Sequence, residues 1–188
     1  MRLQAFETHL VEYCAPTLAG LKTGSTFNYA FGSEGELMQI LEAYGKDRGP
    51  AAPRAVILRK NQRTALFYVY RPNKLAADLS TEEARRLLRH CGYPIGTEPE
   101  EWLACLIGRI ADSQGFPHEI GLFLGYPLHD VLGFIENKGQ NCRLSGCWKV
   151  YCREQEAEKT FARFKRCSEV YRRLFDSGRS LAQLTVAV

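Results

Sequence analysis

Hydrophobic residues recur at intervals of three and four positions in several segments of the chain, which is the spacing of an amphipathic helix. Leu3, Phe6, Leu10 and Tyr13 form the first such stripe. We expect Pro16 to end that helix, because proline disfavours the helical conformation at the residue before it, and to open a short second helix. The pattern predicts helices over residues 2–14, 16–22, 34–44, 81–91, 98–110, 127–138 and 153–177.

Several helix starts carry a further signature, a serine or threonine followed three residues later by glutamate or glutamine. In such a capping box the hydroxyl accepts a hydrogen bond from an amide of the first turn, and the longer side chain bonds back to the amide of the cap. The pairs are Ser33 with Glu36, Ser80 with Glu83, Thr97 with Glu100, and Ser180 with Gln183.

Segments rich in β-branched and aromatic residues lie between these helices and are typical of strands. Two of them are joined by a tight polar connection, which predicts an antiparallel hairpin. The predicted strands are residues 25–31, 54–60, 64–71, 119–124 and 147–151. Because strands and helices do not alternate regularly, we predict an α+β fold. It would be a single domain, residues 1–188, with an antiparallel-centred mixed sheet packed by helices.

Composition narrows the class of protein. Hydrophobic residues make up 45% and charged residues 24% of the 188 positions, which is ordinary for a globular protein and excludes a disordered chain or a coiled coil. No apolar run reaches the roughly 20 residues of a membrane helix. The N-terminal segment lacks the long apolar core of a signal peptide. We therefore expect a cytoplasmic protein that does not contact membranes.

The net charge of +4 is a mild excess of basic residues. Many of them lie between Arg153 and Arg179, where glutamates interrupt the positive charge. This mixture indicates a solvated helix face, with an acidic partner as the alternative interpretation. It argues against a nucleic-acid partner, because such proteins concentrate basic residues on one face.

Seven cysteines are many for a protein of a reducing compartment, where disulfide frameworks are rare. Three interpretations stay open: core thiols, a metal site, or one reactive thiol. Cys91 and Cys105 lie on predicted helices, and we interpret both as structural.

Cys14 and His118 are the candidates for thiol chemistry. If the chain breaks before Pro16, Cys14 lies where a second helix begins, and the helix dipole there lowers a thiol pKa. His118 opens the predicted strand 119–124 and is a candidate base, since cysteine and histidine partners need not be close in sequence. Glu119 or Asn137 would orient it. The alternative for Cys14 is a buried core position, because it continues the apolar stripe from Leu10.

Three other cysteines, Cys142, Cys147 and Cys152, are spaced evenly by five and suggest a metal or iron–sulfur site, which Cys167 would complete. The tight ligand pairs of structural zinc sites are missing. An odd separation along a strand also points Cys147 and Cys152 to opposite faces. They converge only if the strand ends before Cys152.

Segments 14–29, 116–142, 146–152 and 178–186 together resemble the bacterial family called domain of unknown function 3793. The resemblance implies a single-domain cytoplasmic protein found mainly in anaerobes. It implies no activity, cofactor or catalytic residue, although an anaerobic setting suits an oxygen-sensitive thiol or iron site.

Three functional hypotheses follow, and none of them fixes a cofactor. The first is a binding or accessory module, with a pocket at Cys14 and His118 for an unknown small molecule or protein. The second is a thiol-dependent enzyme, papain-like in outline, in which Cys14 is the nucleophile, His118 its base and Glu119 an orienting group. The third is the cysteine metal site. Fold-level likeness is weak support for any function.

Overall fold

The computed structural model describes residues 2–46, 52–94, 98–112 and 116–186, and it confirms the α+β class. The chain divides into two compact units. Unit 1 comprises Met1–Asn73 and Cys167–Val188, and unit 2 comprises Lys74–Arg166.

The secondary-structure elements follow one another without a regular alternation. The helices are α1 (Arg2–Leu18), α2 (Glu34–Gly45), α3 (Pro72–Ser80), α4 (Glu82–His90), α5 (Pro99–Asp112), α6 (Ile120–Phe123), α7 (Leu128–Glu136), α8 (Glu154–Asp176) and α9 (Leu181–Leu184). The strands are β1 (Gly24–Ala30), β2 (Arg54–Lys60), β3 (Thr64–Tyr70), β4 (Leu144–Ser145) and β5 (Lys149–Val150).

Unit 1 contains a three-stranded antiparallel sheet in the order β1-β3-β2. The predicted hairpin of β2 and β3 is confirmed. The central strand β3 is buried along most of its length, because strands on both sides and helix residues cover it. The core of unit 1 forms where Phe6 of α1 meets Phe67 of β3, with ring centroids 4.9 Å apart. Leu181 and Leu184 of α9 complete this core.

The predicted break at Pro16 is wrong, because α1 runs through Pro16 to Leu18 and no second helix follows. The residues after the proline, Thr17 and Leu18, are fully buried, so packing outweighs the missing amide. The Arg71 side chain adds to this effect. Its Nε donates to the Thr17 carbonyl at 2.6 Å, and its guanidinium also donates to the Val186 carbonyl at 2.7 Å.

Unit 2 is mostly helical and contains the small antiparallel sheet of β4 and β5. The prediction of a strand over residues 119–124 is wrong, because this segment is the short helix α6. A short apolar run suits a buried helix as well as a strand. The helix packs closely on α7, since a side chain at Gly121 would come within 2.8 Å of Val131.

The predicted single sheet of five strands is therefore wrong in its extent. Segments 25–31, 54–60 and 64–71 form one sheet, and 147–151 contributes only β5 to another. The ladders are antiparallel throughout the part of the chain that the structure describes, so the mixed character is not observed.

The predicted caps are confirmed at α2 and α9. Ser33 accepts a hydrogen bond from the Glu36 amide, and Ser180 with Gln183 forms a complete capping box. At α4 the cap is Thr81 rather than Ser80, which ends α3, a helix that the pattern did not predict because its apolar stripe is short. The predicted cap Thr97 lies outside the described residues.

None of the helices within the described ranges has both the length and the apolar character required to cross a membrane.

Candidate functional site

Cys14 is fully buried in the core of unit 1, in the cluster that includes Phe6, Leu10 and Phe27. Because α1 continues to Leu18, Cys14 lies near the C-terminal end of a helix rather than at an N-terminus. Burial raises the pKa of its thiol far above the ordinary value, and the charge of Lys22 opposes this only in part. These conditions favour a protonated core thiol.

His118 belongs to unit 2 and is exposed in the turn before α6. Its ring meets the Phe134 ring edge to face, with centroids 5.1 Å apart. The pairing of His118 with Cys14 stays a prediction. Asn137, the alternative orienting group, donates to the Gly133 carbonyl at 2.9 Å and closes the end of α7.

Glu119 is buried next to the exposed His118. Its carboxylate accepts hydrogen bonds from the Arg109 guanidinium at 2.8 Å and from the Tyr93 hydroxyl at 3.2 Å. Burial and the Glu119 charge raise the pKa of Tyr93, so this hydroxyl remains a proton donor to the carboxylate. Among the described residues no hydrogen bond joins Glu119 to His118, and the cluster stabilises unit 2.

A cavity of about 300 Å³ opens beside His118, and we call it the His118 pocket. All the residues that line it belong to unit 2. Its walls include His118, Tyr126, Asp130, Phe134, Trp148 and Lys149. The volume is at the lower end of the range of small-molecule sites.

One wall of the His118 pocket consists of aromatic rings that pack against one another. Trp148 stacks on Tyr126, with centroids 5.2 Å apart, and meets Phe161 edge to face at 4.6 Å. Gly146 lies against the Phe161 ring, and a side chain at position 146 would overlap this ring unless the ring moved. Burial raises the pKa of Tyr126 to about 12, and the negative charge of Cys147 contributes to the shift. Tyr126 is therefore neutral at physiological pH.

Asp130 is a buried residue of the pocket wall whose carboxylate accepts hydrogen bonds from two neighbouring segments. It is 2% exposed. Its Oδ2 accepts a hydrogen bond from the Trp148 indole at 2.8 Å, and its Oδ1 accepts one from the Tyr151 amide at 2.8 Å. The carboxylate therefore fixes both the orientation of Trp148 and the path of the chain after β5.

The four candidate cysteine ligands differ in their surroundings. Cys147 is exposed, whereas Cys142, Cys152 and Cys167 are partly exposed. The strand β5 does end before Cys152, as convergence requires. Within the described ranges, however, the group of potential ligand atoms within 4.8 Å of one another consists of His129, Asp130 and Cys152, and does not include Cys142 or Cys147.

A second cavity of about 400 Å³ is lined by Arg85, Arg89, Glu82 and Trp102, among others. Two of these lining residues form an ion pair, in which the Arg89 guanidinium donates to the Glu82 carboxylate at 2.7 Å. Opposite charges thus neutralise each other there, and the cavity offers less apolar surface than the His118 pocket.

Sequence reasoning selected His118 but missed Asp130, Trp148 and His129. One signal was available for Asp130: a single acidic residue interrupts the apolar stripe of α7 next to Val131. A charged residue at a buried position needs hydrogen-bond partners, and it is therefore a candidate for a structural or functional role.

The fold and the site define an α+β protein with an aromatic-walled pocket next to a buried carboxylate. A family model described as "Protein of unknown function (DUF3793)" matches residues 10–185, so the chain belongs to this family. No curated protein and no solved structure matched the chain.

Proposed function

We propose that this protein is a binding module whose His118 pocket takes a small, flat, largely apolar molecule. The observation that carries the proposal is the pocket itself, in which Tyr126, Phe134 and Trp148 present aromatic surface around a cavity of about 300 Å³. Exposed cavities of this kind, with few polar groups, are typical of small-molecule sites.

The polar groups of the pocket limit the ligand further. The Trp148 indole donates a hydrogen bond to the Asp130 carboxylate, and the Lys149 ammonium donates one to the Gly139 carbonyl. The His118 imidazole takes part in no hydrogen bond with the described residues, so it is available as a donor or an acceptor for a ligand. A planar ring with one polar substituent fits this arrangement, since the ring can stack on Trp148.

Binding is favoured over thiol catalysis by the environment of Cys14. A nucleophilic cysteine reacts as the thiolate and needs access to a substrate. Cys14 has 0% exposure and a raised pKa. The hypothesis of a binding or accessory module needs no ionised Cys14, and His118 still lines a pocket.

The two tryptophans of the chain provide a direct test. The probe is 8-anilinonaphthalene-1-sulfonate, which carries aromatic rings and one polar group. In W102F only Trp148 remains, and we expect energy transfer from it to the bound probe. In W148F the remaining Trp102 lines the other cavity, and we expect weaker transfer than in W102F.

A blocking variant shows whether the probe occupies this pocket. Ser145 is an exposed residue of the pocket wall, and Ser145→Phe places a ring in the cavity. We expect the affinity for the probe to fall at least about tenfold, which corresponds to about 1.4 kcal/mol. Ser177→Phe, at an exposed position after α8, is the control. Equal affinities in the two variants would disprove binding in the His118 pocket.

A further inference from the structure

Three side chains of different chemistry converge on one side of Asp130. The ligand atoms of His129, Asp130 and Cys152 all lie within 4.8 Å of one another. From this arrangement we propose that these three residues bind a zinc ion, with a water molecule as the fourth ligand. The site does not depend on the ligand proposed for the His118 pocket.

The spacing suits one tetrahedral ion. With zinc–nitrogen and zinc–oxygen bonds of about 2.0–2.1 Å, two ligand atoms at the tetrahedral angle are roughly 3.3 Å apart. His129 Nε2 and Asp130 Oδ2 are 3.7 Å apart, which is long for a hydrogen bond and close to this value. Small side-chain rotations complete the geometry.

The hydrogen bonds of Asp130 leave an oxygen position for the metal. Each carboxylate oxygen can accept about two bonds. Oδ1 already accepts from the Tyr151 and Cys152 amides, at 2.8 and 3.4 Å. Oδ2 accepts one bond, from the Trp148 indole, and is also the oxygen that faces His129. The indole bond would then orient the carboxylate toward the metal, as outer-shell partners do in metal sites.

The charges also favour a cation at this position. Asp130 is 2% exposed, and within the described part of unit 2 the ion-pair partner found for it is His129, which is charged only when protonated. A buried carboxylate surrounded by neutral donors is costly. With a neutral His129, the Asp130 carboxylate and a Cys152 thiolate together carry two negative charges, which a divalent cation neutralises.

The residues on either side of Cys152 define the path of the chain at the proposed zinc site. The ring of Tyr151 packs so closely on α7 that a side chain at Gly133 would overlap it. Arg153 then adopts a left-handed conformation with φ of 57°, which turns the chain sharply into α8. Cys152 therefore lies between a residue that packs on α7 and the residue at which the chain turns into α8.

The residue before Cys152 carries a buried polar group without a partner among the described residues. The Tyr151 hydroxyl is buried and takes part in no hydrogen bond with the described residues. Leaving such a group unsatisfied costs about 1–3 kcal/mol.

The donor set selects the metal. Imidazole, carboxylate and thiolate together are typical ligands of zinc, whereas magnesium and calcium prefer oxygen ligands only. Three protein ligands that leave one position to water are also the usual number in open zinc sites.

The experiment uses the full chain, purified under reducing conditions, stripped with a chelator and titrated with zinc against a coloured chelator. We expect one equivalent to bind. Cobalt then serves as a spectroscopic probe, and we expect a thiolate-to-cobalt charge-transfer band. Magnesium at the same concentration should not compete.

Matched variants identify the ligands. We expect Cys152→Ser to abolish the charge-transfer band and, like His129→Asn, to weaken zinc binding by at least about tenfold. Cys147→Ser and His90→Asn remove an exposed cysteine and an exposed histidine elsewhere, and both should bind zinc like the parent. Circular dichroism of each variant checks that the fold is retained.

Three results would overturn the proposal: no stoichiometric zinc binding, a cobalt band that survives in Cys152→Ser, or a band lost in Cys147→Ser. The last would instead favour a cysteine set. The pocket variant Ser145→Phe should keep its zinc affinity, so failure of the zinc site and failure of the small-molecule pocket are distinguishable.

Discussion

Asp130 is the residue on which the candidate site depends. A buried carboxylate normally needs a partner of opposite charge or several hydrogen bonds. Asp130 accepts bonds from the Trp148 indole and from two consecutive amides after β5. It therefore links α7 to the chain segment that forms one wall of the His118 pocket and carries Cys152.

Replacing this carboxylate by its amide tests the link. In Asp130→Asn one of the two acceptor oxygens becomes a donor that faces either the Trp148 indole or the Tyr151 amide. A buried donor then loses its partner, and we expect the free energy of unfolding to fall by about 1–3 kcal/mol. Urea unfolding, followed by circular dichroism, measures the change.

The control for this variant is Asp176→Asn, because Asp176 is the exposed last residue of α8. It makes the same chemical change without burial, and we expect a loss below about 0.5 kcal/mol. Equal losses in the two variants would contradict the structural role of Asp130.

At the level of single residues, the sequence could predict burial better than it could predict partners. Cys14 follows the apolar stripe of α1, and the structure places it in the core. His129 and Asp130 are neighbours in sequence, and consecutive helix positions do not face each other. Their ligand atoms approach because the imidazole is long and Cys152 is brought in by a distant segment. No sequence pattern predicts that side chains from these two segments approach one another.

At the level of elements, the sequence pattern predicted the bounds of those helices and strands that are set by interactions between residues close in sequence. The observed bounds of β2, residues 54–60, are those that its composition predicts, and α8 was predicted within one residue at each end. Tertiary contacts decided the failures. Pro16 stays inside α1 because Arg71, far along the chain, caps the last carbonyls. The segment 119–124 is a helix that packs against α7 through Gly121, and a short apolar run does not by itself distinguish a buried helix from a strand.

The start of α4 gives a prediction about helix capping. Both Ser80 and Thr81 precede this helix, but the Ala84 amide donates to the Thr81 hydroxyl. Removing an N-cap side chain costs about 0.5–2 kcal/mol. We therefore expect Thr81→Ala to lower the free energy of unfolding by about 1 kcal/mol.

Ser80→Ala is the matched control for this prediction. The exposed Ser80 hydroxyl donates to the Ala77 carbonyl inside α3 and caps no helix start. We expect a smaller loss than in Thr81→Ala, by urea unfolding of both variants under the same conditions. The reverse order would place the cap at Ser80, as the sequence pattern predicts.

On the scale of the whole chain, unit 1 is assembled from both ends of the sequence. Leu181 and Leu184 are buried in the same core as Phe6, and the Val186 amide donates to the Leu18 carbonyl. Unit 2 is the segment between them. No periodicity predicts such an arrangement, because it depends on contacts between residues more than 150 positions apart.

Whether the chain behaves as the single domain that we predict is a question of cooperativity. The helices α3 and α8 each contribute residues to both units. Melting of α8 removes packing from both units at once, because Phe164, in unit 2, is buried and Leu174 packs against the core of unit 1. For this reason we expect the two units to unfold in one transition, as most small single domains do.

Leu184→Ala tests this expectation, because Leu184 is 5% exposed and belongs to the core of unit 1. Its truncation should cost about 2–5 kcal/mol. The reporters are pulsed alkylation of Cys14, buried in unit 1, and of Cys91, partly buried in unit 2, at increasing urea concentration. In a cooperative chain the variant lowers the unfolding midpoint of both cysteines by the same amount, whereas independent units would shift Cys14 alone. The exposed Leu132→Ala is the control and should move neither midpoint appreciably.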